Sequence, residues 1–219
     1  MGTITRSFAN NITTSGVLLP ASLTNNSIAN VTAYNASVAT GGMVLLSSQT
    51  ASNSASISFT TGIDSTYKEY QFYFINCHPS TQSVFSFNGS TDSGSNYNVT
   101  KTTTFFDSFH NEQDTGTGLL YETGADLAQS TNFQGLATIG SGNDESFSGI
   151  LQIFNPSSTT YVKHFIARGN CAFIVSAENY TADCYTAGYF NTTSAINAVR
   201  FQMSSGNIDD GTILMFGIK

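Results

Sequence analysis

Apolar and polar residues take turns along much of this chain. In residues 195–203, Val199, Phe201 and Met203 alternate with Arg200 and Gln202; in residues 54–61, Ala55, Ile57 and Phe59 alternate with Ser54, Ser56, Ser58 and Thr60. A period of two sends successive side chains to opposite faces of an extended backbone, whereas an amphipathic helix needs a repeat of 3.6. Residues 67–76 carry the strongest such pattern, with Tyr70, Phe72 and Phe74 on one face and Gln71, Tyr73 and Ile75 on the other. Large side chains on both faces predict a central strand buried on both sides. Further strands are predicted at 43–47, 82–88, 97–106, 131–139, 147–154, 161–168, 172–175 and 212–218, with a weaker one at 185–190.

Charge supports the same reading. Only 10% of the 219 residues are charged, and Lys plus Arg number 7. Long helices are commonly solvated by Lys, Glu and Arg; here Ser, Thr, Asn, Gly, Tyr and Phe, which suit strands and turns, take their place. The expected fold is all-β: a jelly-roll-like antiparallel β-sandwich of roughly nine to eleven strands, with almost no helix. Residues 107–130 are polar and hold Gly116, Gly118 and Gly124, so they read as a long irregular excursion with a short helical turn near 125–129.

The β pattern starts near residue 42. Before it, residues 1–41 hold single apolar residues among Ser, Thr, Asn and Gly, with Pro20 and the pair Gly41-Gly42 as punctuation. Such a segment buries too little to fold alone, yet it carries Phe8, Ile12, Val17, Leu18, Leu19, Leu23, Ile28, Val31 and Tyr34. We read 1–41 as an extended docking arm whose anchors order on a partner, the alternative being a terminal segment that packs on its own domain, and 42–219 as the β-sandwich domain.

The net charge of −7 and a pI near 4.6 argue against nucleic acid, which needs a basic footprint. The few cations, Arg6, Lys68, Lys101, Lys163, Arg168, Arg200 and Lys219, are scattered, so no polybasic membrane patch exists either. The N-terminus lacks the apolar core of a secretory signal, so the chain is expected to stay in the cytoplasm in which it is made. The Asn-x-Ser/Thr triplets at Asn11, Asn25, Asn30, Asn35, Asn88, Asn98, Asn179 and Asn191 then follow from composition.

Residues that could carry chemistry are few. Cys77, Cys171 and Cys184 lack the clustered spacing of a zinc site and read as reduced, buried thiols. His78, His110 and His164 form no metal motif, and no Gly-x-Ser-x-Gly elbow is present. Asp144-Glu145 and Asp209-Asp210 sit in turns, where Asp serves local hydrogen bonding. Asp92-x-Gly94-x-Asn96 has the oxygen spacing of a loose calcium loop but no bidentate Glu, so it reads as a hairpin loop. No catalytic, cofactor or metal site is expected. The 17 Phe and 10 Tyr fall mostly at alternating strand positions, which predicts core or subunit interface.

Four segments carry a resemblance. They are Asn11-Ile12-Thr13-Thr14-Ser15-Gly16-Val17, Ile57-Ser58-Phe59-Thr60-Thr61-Gly62-Ile63-Asp64, Tyr67-Lys68-Glu69-Tyr70, and the closing stretch from Ser204-Ser205-Gly206-Asn207-Ile208-Asp209-Asp210-Gly211 through Thr212-Ile213-Leu214-Met215-Phe216-Gly217-Ile218. Together they resemble virion proteins of tailed bacteriophages, of the aquatic type, with Met215-Phe216 where Leu-Tyr is commoner. The resemblance spans roughly residues 40–219. It implies a particle component: a head decoration (cement) or fibre protein, homo-oligomeric and often trimeric, whose partners are other capsid or tail proteins and whose location is the virion. A receptor- or glycan-binding fibre domain is the second expectation; a polysaccharide depolymerase comes third.

Overall fold

The computed structural model describes residues 42–219. The nine arm anchors, from Phe8 to Tyr34, lie outside the described residues. Gly41–Lys219 form one compact unit, and the described residues fold into twelve strands with no helix.

The strands are β1 (Met43–Thr50), β2 (Ile57–Phe59), β3 (Glu69–Pro79), β4 (Ser83–Ser90), β5 (Lys101–Asn111), β6 (Thr117–Tyr121), β7 (Gln134–Ile139), β8 (Phe147–Phe154), β9 (Lys163–Val175), β10 (Glu178–Phe190), β11 (Ala198–Met203) and β12 (Ile208–Ile218). They make two antiparallel sheets. The larger has the order β1-β12-β3-β8-β9-β10-β5-β6, the smaller β2-β11-β4-β7. The row β1-β12-β3-β8 against the row β2-β11-β4-β7 is the eight-strand, double Greek-key order of a jelly roll. The other four strands are two insertions. A β5–β6 hairpin follows β4, a β9–β10 hairpin follows β8, and both extend the larger sheet past the smaller one.

Alternation builds the core as expected. Tyr70, Phe72 and Phe74 of β3 are fully buried and meet Phe59, Phe85, Phe87 and Phe201 from the smaller sheet. Phe201 lies at the centre of this cluster, its ring within 6.4 Å of the Phe59, Phe72, Phe74, Phe85 and Phe87 rings. β3 is central, between β12 and β8. Only one of its faces is sealed, however: Gln71 and Tyr73 are half-buried and Ile75 is exposed, because nothing among the described residues covers the outer face of the larger sheet.

The excursion expected at 107–130 is partly a hairpin. β5 runs on to Asn111 and pairs with β6, from Phe106↔Tyr121 to His110↔Thr117. Residues 125–129 form no helical turn. Likewise the segments 161–168 and 172–175 are one thirteen-residue strand, β9, and the weak 185–190 segment is the end of the equally long β10.

Candidate functional site

The sandwich interior seals its apolar side chains; the outer face of the larger sheet does not. Most of the exposed large apolar side chains among the described residues lie on the four inserted strands: Phe106, Leu119, Leu120, Tyr121, Ile166, Ile174 and Val175. Strand parity divides them. Lys101, Thr103 and Phe105 of β5, Lys163, Phe165 and Ala167 of β9, and Cys184, Thr186 and Phe190 of β10 point inward and are buried. Phe106, Ile166 and Tyr185 point outward.

Register then builds a row across the outer face. Arg168 is paired with Tyr185, Tyr185 with Phe106, and Phe106 with Tyr121. The Tyr185 and Phe106 rings stack with centroids 4.7 Å apart and planes 5° from parallel. The Arg168 guanidinium lies 4.9 Å from the Tyr185 ring centre, a cation–π contact. Asp183 fixes this end of the row: Arg168 Nη2 donates to its Oδ2 at 2.7 Å, and the Tyr185 hydroxyl donates to the same oxygen at 2.9 Å. These donors hold the Asp183 carboxyl below its ordinary range, the Arg168 hydrogen bond being the larger cause. At the other end the Tyr121 hydroxyl donates to Asp126 Oδ2 at 2.7 Å, which raises the phenol. Beside the row, small Ala187 leaves a shallow trough of about 520 Å³ bounded by Tyr189, His164, Ile166, Thr102 and Thr104.

The inner side of the same hairpins is closed more tightly. A cleft of about 260 Å³ is lined by Phe105, Phe173, Ala182, Cys171 and Cys184, with Asp107 and Glu122 beside them. Burial, then the nearby Glu122 charge, raises the Asp107 carboxyl. The three cysteines are buried free thiols, as expected. Burial pushes Cys77 up to about 12, and the hydrogen bond with Cys171 together with burial raises Cys184. Neither Cys77 nor Cys184 is therefore a ready nucleophile, because reactivity follows the thiolate.

Two lysines are buried where none was expected. Lys101 and Lys163 flank Phe190 in register and are wholly covered. Lys101 Nζ donates to Asn88 Oδ1 at 2.8 Å and to the Val99 carbonyl at 2.9 Å; Lys163 Nζ donates to the Thr192 carbonyl at 3.0 Å. Neither forms an ion pair among the described residues. Burial lowers both, Lys101 to about 7. An amine neutral near pH 7 is a potential nucleophile, but with no exposed surface it can meet no substrate. Its hydrogen bonds instead tie β5 to Asn88 of β4, whose Nδ2 donates to the Tyr97 and Thr131 carbonyls.

Residues read separately in the sequence do come together at one end of the sandwich. His78, Asp144, Glu145, Asp209 and Asp210 surround an open cavity of about 620 Å³. Both His78 nitrogens are engaged there: Nδ1 is 3.4 Å from Asp209 Oδ2 and Nε2 is 3.1 Å from the Gly142 carbonyl. The Glu145 carboxylate turns back into its own loop, accepting from Gly142 N–H and packing over Gly140, where a β-carbon would collide with it. No group of three or more His, Cys, Asp or Glu among the described residues is placed to hold a metal ion. Asp92 spends its oxygens within its hairpin loop, on the Ser90 hydroxyl and on the side-chain and backbone N–H of Asn96, which lowers it to about 2. His110 meets Asp114 at 3.1 Å on the surface, and His164 packs edge-on to Tyr189.

The outer face of the two inserted hairpins is therefore the candidate site. Compared with family profiles, curated proteins and solved structures, the chain matches none. The reading of this face rests on its own geometry. The sequence held one signal for it: Phe105-Phe106 places large rings on both sides of one strand, and in a two-sheet sandwich only one side of a sheet faces the core.

Proposed function

We propose that this chain is a non-enzymatic structural protein of a virus particle of the tailed-phage type, held to its neighbours by the outer face of the inserted hairpins. The observation that carries this reading is the contrast in burial. The sandwich interior is sealed, while the outer face of the larger sheet, most of all along the β5–β6 and β9–β10 insertions, presents an aromatic and aliphatic row to solvent. Exposed apolar patches of this kind usually mark protein contacts, with aromatic and Arg side chains as anchors. The jelly-roll order is one that viral capsid domains use; since fold alone does not fix function, the exposed face carries the argument. The arm 1–41 supplies a second attachment, each anchor filling a pocket on a capsid or tail partner.

The test is a variant carrying Phe106→Thr and Ile166→Thr, which removes the apolar row while keeping good strand formers. It is expected to fold and melt like the parent and to be lost from purified particles. Normal incorporation would overturn the proposal.

A second reading has its own observation. The Arg168–Tyr185–Phe106 stack beside Asp183, next to the trough over Ala187, offers ring faces and hydroxyl-binding groups together. That combination suits a host-surface glycan bound by a fibre. Binding of the isolated protein to host polysaccharide, lost on Tyr185→Ala, would favour it.

A further inference from the structure

Among the described residues the larger sheet ends at β6, and nothing there gives this edge the usual protection. Natural edge strands are blunted by Lys, Pro, inward-pointing charge or a covering loop. The β6 sequence Thr117-Gly118-Leu119-Leu120-Tyr121 has no charge and no proline. Leu119 is 70% exposed, Leu120 48% and Tyr121 52%. The opposite edge, β1, also exposes Met43 and Leu45, but it follows directly on residues 1–41. Among the described residues, no chain terminus lies beside β6.

We propose that β6 pairs with β6 of a second copy, antiparallel about a two-fold axis at Leu119, joining two larger sheets into one. This inference rests on the docking face described above. Antiparallel pairing about Leu119 sets Leu119 against its own equivalent, Gly118 against Leu120 and Thr117 against Tyr121. Small residues thus meet large ones at every pair away from the axis. On the inner side the Phe109 ring lies over Gly118, so the partner's Leu120 meets an aromatic wall and not a void. Although each copy carries a net charge of −7, no like charges meet at the contact: no carboxylate lies on either strand, and Glu122 falls opposite Gly116. Register matters for a further reason. Opposed residues of an antiparallel pair point to the same side of the sheet, so pairing Leu119 with itself puts the two aromatic rows on one face and doubles the docking surface. A shift by one residue would turn one row over. A five-residue edge is a small contact beside the ~800 Å² per partner of a standard interface; the pair gains its strength in a particle that binds both copies at once.

Cysteine cross-linking in the full-length protein reads this register. Directly opposed residues have Cα atoms about 4.5 to 5.5 Å apart, within disulfide reach, and the native thiols Cys77, Cys171 and Cys184 are buried. Leu119→Cys is expected to form a disulfide-linked dimer under mild oxidation at least about tenfold faster than Thr117→Cys, whose two copies would stand roughly 13 Å apart. Mixing Thr117→Cys with Tyr121→Cys is expected to restore cross-linking. Equal rates for Leu119→Cys, Thr117→Cys and an exposed control at Thr160→Cys would overturn the pairing, provided circular dichroism shows each variant folded. Loss of the edge dimer together with failed incorporation of the Phe106→Thr, Ile166→Thr protein sinks the pairing and leaves the docking face standing. Register-specific cross-linking together with normal incorporation does the reverse.

Discussion

Phe201 touches five other phenylalanines, three on its own sheet and two on the sheet opposite. Truncating a ring so placed removes its transfer energy and leaves a cavity that neighbouring rings cannot close, so Phe201→Ala is expected to cost about 3 to 5 kcal/mol in urea unfolding. This position was legible in the sequence, because alternation alone put Val199, Phe201 and Met203 on one face. The buried lysines were not. A Lys in an alternating strand can point either way, and burial without a carboxylate partner depends on carbonyls from residues distant in sequence. They set the pH dependence. Between about pH 7 and the ordinary lysine value near 10.4, unfolded Lys101 binds a proton that the folded state does not, so stability rises with pH there, by at most about 1.4 kcal/mol per pH unit. Lys163, also lowered, acts in the same direction. Above about pH 8.5 the unfolded thiols ionise while buried Cys77 and Cys184 do not, which opposes the lysines and levels the rise. Melting temperature is expected to rise from about pH 7 to 8.5 and level off above it, and Lys101→Met to flatten that rise. An unchanged slope in that variant would remove Lys101 as its source.

At the scale of elements, the inserted hairpins are the part that local sequence signals misstate, and each misstatement has a cause. Gly169-Asn170 looks like a turn between two strands. In the structure Gly169 lies within β9 opposite Gly149, because the Phe147 ring lies across it and leaves no room for a β-carbon. The true turn is Ser176-Ala177, the two residues between the paired Val175 and Glu178. Both have positive φ, 53° and 67°, the requirement of the two-residue turn that Asn-Gly usually fills. Without that signature the hairpin does not announce itself. Asp107 hides β5 in the same way, by placing a carboxylate on the inward face, where alternation calls for an apolar side chain. Ala177→Gly relieves the left-handed backbone and is expected to raise stability by about 1 kcal/mol. A loss of stability would mean that the turn is held by contacts stronger than its strain.

Residues 42–219 are a jelly roll, its core sealed between two sheets, with two hairpins added to the larger sheet. The fold class followed from period-two patterning and the scarcity of charge. Strand order did not, because the pairing of β12 with both β1 and β3 joins segments separated by more than a hundred residues. The docking face was less legible still. Phe106, Tyr185 and Tyr121 come from three separate strands, and only register unites them. The arm can be tested apart from the face. Since Gly41–Lys219 form one compact unit, deleting residues 1–40 is expected to leave β-structure and melting intact while abolishing incorporation into particles; normal assembly of the truncated chain would place all attachment on the hairpins. The most direct measurement is a cryo-EM map of the intact particle that carries this protein. The account predicts the outer face of β9, β10, β5 and β6 pressed against a neighbouring structural protein, with the Tyr185–Phe106 stack buried. A map in which that face points into solvent at the distal end of the particle would contradict it.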